Sequence, residues 1–147
     1  MPQQYEGMGI SLLYPDTWRI EEDSSEAQNI SVESPTGAFM SINCYSSLSP
    51  DDALKNAQQV MLDEYEEVET ETLTRTVSNR LFEVIAQRFV YLDFIIVSQI
   101  LSFTHANNTY LVQIQGEDRE MDQLQIVFDA MLASIFQNSR ELTDHSS

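Results

Sequence analysis

Residues 82–114 read FEVIAQRFVYLDFIIVSQILSFTHANNTYLVQI, and this stretch decides the fold. Phe82 to Tyr91 and Phe94 to Thr104 are two long extended runs joined at Leu92-Asp93. Ile95, Val97, Leu101 and Phe103 share one face of the second run, while Phe94, Ile96 and Ile100 share the other. His105 to Asn108 makes a tight turn into a third run with Tyr110, Val112 and Ile114. Connections this short exclude crossover helices, so the three strands form an antiparallel meander.

On the N-terminal side of the meander, Val68 to Val77 is β-branched at alternate positions and predicts a strand with one wet face, followed by a turn at Asn79-Arg80. Before it, Ser49-Pro50-Asp51-Asp52 marks a helix start. Ser49 can cap, Pro50 suits the first helical position, and the acidic pair favours the positive end of the helix dipole. Leu54, Ala57, Met61 and Tyr65 then fall on one face. Ile30 to Glu33 and Phe39 to Tyr45 flank Ser34-Pro35-Thr36-Gly37 as a hairpin, Ile10 to Tyr14 predicts an opening strand, and a short strand ends near Ile20. Glu21 to Glu26 predicts a solvated loop. On the C-terminal side, Met121, Leu124, Phe128, Met131 and Ile135 define an amphipathic helix ending near Phe136.

The expected architecture is therefore a single α+β domain over residues 1–139, an antiparallel sheet of about six to seven strands with two main helices packed on it. Residues 140–147 are expected to be a flexible polar tail. A chain of 147 residues suffices for one continuous core.

Charge narrows the partners. The formal net charge is -17, from 24 acidic and 7 basic residues scattered along the chain, which repels nucleic acid and anionic membranes. Basic proteins and divalent cations stay compatible. The longest apolar stretch, Phe94 to Phe103, is interrupted by Ser98, Gln99 and Ser102 and is too short to span a bilayer. The single Cys44 forms no intrachain disulfide and the N-terminus shows no signal segment, so a cytoplasmic location is expected.

Reactive side chains are few. His105 lies beside a turn and His145 in the tail, so neither is placed to serve as the base of a nucleophilic triad. Cys44 reads as a small buried hydrophobe. No Gly-rich phosphate loop or zinc motif occurs, and no cofactor or metal site is expected. The alternatives are a small-ligand or divalent-cation-binding domain, or a carboxylate-based enzyme with a pocket near Trp18 and Tyr110.

The opening strand running into Pro15-Asp16-Thr17-Trp18, and Tyr110-Leu111-Val112 followed by a closing helix with Phe128 and Leu132-Ala133-Ser134-Ile135, resemble the Mog1/PsbP-like superfamily. The resemblance implies an α/β/α sandwich, protein binding as the common theme, and no shared catalytic site.

Two features conflict with simple solvation. The acidic run Asp63, Glu64, Glu66, Glu67, Glu69 and Glu71 lies near the C-terminal end of the first helix, where the dipole disfavours negative charge. Asp63 and Glu67 are also expected to repel at i,i+4. The run is either an exposed face of an acidic protein or a surface that a cationic partner neutralises. The strand from Phe94 carries large apolar groups on both faces, so either helices cover both faces of the sheet or one face meets another chain. These features and the missing catalytic constellation lead to a non-enzymatic protein-binding module, an adaptor or chaperone. It would bind a basic surface or a hydrophobic helix through the acidic residues or through Phe94, Ile96 and Ile100; a homodimer is compatible with the same reading.

Overall fold

The computed structural model describes residues 1–23 and 28–146, with side chains described as far as residue 137. The strands β1 (Gln3–Gly7) and β2 (Ile10–Tyr14) pair as a separate antiparallel hairpin. Next come β3 (Arg19–Asp23), β4 (Gln28–Glu33) and β5 (Phe39–Tyr45), then helix α1 (Pro50–Glu64). The meander follows as β6 (Glu69–Val77), β7 (Arg80–Tyr91), β8 (Phe94–His105) and β9 (Asn108–Glu117), and α2 (Asp118–Ser146) closes the chain. Seven strands form one sheet in the order β3-β4-β5-β9-β8-β7-β6, antiparallel throughout. The expected α+β architecture is present.

Alternation along the strands divides the core into two layers. Ile100 of β8, Leu111 of β9, and Ile85 and Phe89 of β7 point to one face, where Ala53, Leu54 and Met61 of α1 cover them. Leu101, Phe103, Tyr110 and Val112 point to the other, beneath Phe128, Leu132, Ile135 and Phe136 of α2. The two-faced apolar character of β8 is thus explained by a helix on each side. The β1–β2 hairpin lies against α2, where the Leu13 N–H donates to Ser134 Oγ (2.9 Å) and Ser134 Oγ donates to the Met131 carbonyl (2.6 Å).

Helix α1 begins as its sequence dictates. Ser49 Oγ accepts from the Asp52 N–H at 3.1 Å, and Pro50 occupies the first turn. Ser102 Oγ of β8 donates to the Pro50 carbonyl at 2.7 Å, tying the helix start to the sheet. The hairpin turns at Met8-Gly9, Ser78-Asn79, Leu92-Asp93 and Ala106-Asn107 have both central residues at positive φ, the form whose twist matches the flanking strands.

Three segments differ from the sequence reading. β1 carries no apolar alternation, and its pairing with β2 creates it. Glu21 to Asp23 belong to the edge strand β3 instead of a loop, because their backbone pairs with Asn29 to Ser31 while an edge leaves charged side chains in water. α2 continues past Phe136, where only its apolar stripe ends. The expected boundary at residue 139, and His145 beyond it, fall where side chains lie outside those described. Among the described residues no helix is long and apolar enough to cross a membrane.

Ile100 is wholly buried between β8 and α1, so Ile100→Ala is expected to lower stability by about 2–5 kcal/mol, read from urea unfolding.

Candidate functional site

The ends of the two helices define the site. At its C-terminal cap α1 places Tyr65 on the sheet, with its ring stacked on Phe89 at 4.0 Å and edge-on to Tyr91 at 5.8 Å. On the opposite face α2 starts at Asp118, whose carboxylate accepts from Arg88 at 2.9 Å. β7 and β8 run further. The next cross-strand pair, Val90 with Ile95, is exposed on the α2 side, and the last pair, Tyr91 with Phe94, on the α1 side. Leu92 at the turn is 72% exposed. Five large apolar side chains, Val90, Tyr91, Leu92, Phe94 and Ile95, therefore form a bare tip beyond both helical layers.

The β6–β7 register sets Glu69 opposite Arg88, which brings the acidic run to the same end of the sheet. Glu66, Glu67, Val68 and Glu69 form one wall of an open cleft of about 720 Å³, and Arg88, Phe89, Val90 and Ile95 form the other. Helix α1 ends at Glu64, so Glu67 lies outside it at φ 52° and the expected i,i+4 repulsion with Asp63 does not arise. Asp63 Oδ1 instead accepts from Gln59 Nε2 at 2.8 Å.

No described basic side chain neutralises the cleft carboxylates. Arg88 is paired with Asp118, Arg75 with Asp129, Lys55 with Asp51, Arg19 with Glu21 and Glu33, and Arg119 with Glu117. Arg80 lies over the Phe136 ring at 4.9 Å. Among the described residues, Glu66, Glu67, Glu69 and Glu71 thus form no ion pair, and Arg88, which lines the cleft opposite Glu69, is held by Asp118.

Of the residues singled out in the sequence, Glu66, Glu67 and Glu69 share this cleft, Phe94 and Ile96 line a separate one, and Asp63, Glu64 and Glu71 line neither. Phe94 is exposed and Ile96 half-buried, but Ile100 is core beneath α1, because alternation assigns a face without saying how far along it a helix extends. Val90, Tyr91 and Leu92 were missed. Their signal was the run Val90-Tyr91-Leu92-Asp93-Phe94-Ile95, an apolar hairpin turn where polar residues are usual.

An open cleft of about 430 Å³ lined by Tyr14, Pro15, Asp16 and Met131 lies beside Trp18, but Trp18 and Tyr110 themselves belong to the core. Trp18 packs edge-on against Phe128 at 5.3 Å, and Tyr110 is fully buried with its hydroxyl donating to the Met8 carbonyl. Burial, reinforced by the neighbouring Cys44, pushes the Tyr110 phenol up to about 12. His105 is half-exposed at the β8–β9 turn, with its ring tilted 6.4 Å from that of Tyr110. Among the described residues no group of three or more His, Cys, Asp and Glu side chains is arranged to hold a metal ion.

The Tyr110 shift has a definite sign. Because the folded value lies above the ordinary 10.0, its contribution to stability is complete below pH 10 and is lost as pH rises through about 12. Alkaline unfolding followed by circular dichroism should show this loss, and Tyr110→Phe should remove that component.

Leu92 sits at φ 50°, a backbone region that disfavours a bulky side chain by about 1 kcal/mol. Leu92→Asn is expected to raise stability by about 0.5–1 kcal/mol in urea unfolding, since Asn suits this turn position.

No protein-family model matches this sequence, and no curated protein matches it at a significant level. Solved structures share its fold. The cyanobacterial PsbP protein CyanoP from Synechocystis superposes with a TM-score of 0.61 at 13% identity, covering 90% of each chain. LpqN, involved in cell envelope biogenesis of Mycobacterium tuberculosis, superposes with a TM-score of 0.56 at 14% identity, covering 89% of this chain and 86% of its own. The fold is PsbP/Mog1-like.

Proposed function

We propose that this chain is a non-enzymatic protein-binding module, of adaptor or chaperone type, that receives a cationic, apolar segment of a partner protein at the β7–β8 tip. The observation carrying this reading is the juxtaposition of the exposed Val90 and Ile95 with the carboxylates of Glu66, Glu67 and Glu69 in one cleft, at the end of a hairpin where Tyr91, Leu92 and Phe94 are exposed as well. Apolar side chains supply affinity by leaving water, at about 25 cal/mol per Å² buried. Carboxylates on the rim select the sign of the partner and speed its approach. An amphipathic helix with Lys or Arg beside its apolar stripe fits both demands. Leu92 supports the same reading, since it keeps an apolar group in water at a backbone position better suited to Asn or Gly. The reading places the protein in the cytoplasm, where the lone thiol of Cys44 remains reduced.

A fluorescently labelled amphipathic peptide bearing Lys on one face and Leu on the other tests it by anisotropy. The native chain should bind this peptide at low salt and release it as salt rises. Glu66→Lys, Glu67→Lys and Glu69→Lys combined should weaken binding by at least about tenfold, equivalent to about 1.4 kcal/mol. Val90→Ser with Ile95→Ser should weaken it while leaving the salt dependence in place. Affinity unchanged by both sets of substitutions would remove the tip as the binding surface.

A further inference from the structure

The outer edge of the sheet at β6 has a sequence property that the peptide-binding reading does not use. Thr70-Glu71-Thr72-Leu73-Thr74-Arg75-Thr76 reads the same in both directions, except that Glu71 exchanges with Arg75. Among the described residues β6 pairs only with β7, so its other side presents unpaired backbone donors and acceptors over nine residues. The pairing with β7 is continuous from Glu69 to Val77, with no bulge to turn the edge away.

We propose that two copies of this chain join antiparallel along β6 in a single register, with Leu73 facing Leu73 on the two-fold axis. Thr72 then faces Thr74, Glu71 faces Arg75 and Thr70 faces Thr76, each pair occurring twice. The exposed threonines form one continuous row on the α1 side, a favourable cross-strand combination. On the α2 side each Glu71 meets the opposite charge. Among the described residues Arg75 meets Gln99 (3.1 Å) and Asp129 (3.3 Å) through Nη1, which leaves its Nη2 donors for the second copy's Glu71. Moving the axis to Thr72 sets Glu71 against Leu73, and moving it to Thr74 sets Leu73 against Arg75. A shift by one residue places opposing side chains on different faces. Only the Leu73 axis matches every pair from 70 to 76.

Salt separates this dimer from peptide binding. Each copy carries a formal charge of -17, so repulsion between whole molecules opposes association and screening relieves it. Dimerisation therefore strengthens with added sodium chloride, whereas cationic peptide binding weakens, and either can fail without the other.

Sedimentation equilibrium of the full chain should show a mass rising from 16.8 kDa toward twice that value as sodium chloride is increased. Glu71→Lys alone and Arg75→Glu alone should each remain monomeric, because each sets like charges opposite one another. Their equimolar mixture should dimerise, because each introduced charge then faces its opposite. Should Arg75→Glu fail to fold, as circular dichroism would show, cross-linking gives the register directly. With Cys44→Ser in the background, Leu73→Cys should oxidise to a disulfide dimer, while Thr74→Cys, offset from its own copy across the axis, should not. A monomer at all salt concentrations, a mixture that stays monomeric, or cross-linking at residue 74 and not at 73 would overturn the proposal.

Discussion

The β7–β8 hairpin projects past the C-terminal end of α1 and the N-terminal end of α2, and the surface chemistry of this protein follows from that offset. α1 reaches along β8 from Ser102, tied to its first turn, to the row of Phe89 and Ile96, where Tyr65 caps it. Fifteen helical residues rise about 22 Å, while twelve strand residues extend about 40 Å. α2 starts one row earlier on the other face, with Asp118 holding Arg88. Neither helix shields the final pairs of the hairpin, so the apolar alternation that builds the core continues into solvent.

Electrostatics then gives that tip a preference. Arg75 and Arg88 neutralise carboxylates of α2, and Arg80 is occupied with aromatic rings, so the described cations hold the closing helix to the sheet and leave the start of β6 negative. In a chain with so few basic residues, this allocation decides where uncompensated charge collects.

Much of the fold was legible in the sequence. Ser49-Pro50-Asp52 announced α1 because capping is a local interaction, while the apolar residues on both faces of β8 allowed either a helix on each side or a second chain on one, because alternation assigns faces without saying what covers them. β1 was hidden because Gln3, Gln4 and Glu6 become strand residues only through pairing with β2. The acidic run and the apolar strand were each noticed. Their meeting depended on the β6–β7 register, a long-range property that neither segment encodes alone. Trp18 and Tyr110 looked available for a pocket because aromatic residues on strands read alike whether they line a cavity or fill a core.

Chemical-shift mapping of backbone amides during titration with the cationic amphipathic peptide tests the central claim most directly. The account predicts that the perturbed amides cluster at residues 66–69 and 90–95, with those of β3 and β4 unmoved. Shifts confined to β3 and β4, or none at saturating peptide, would contradict it.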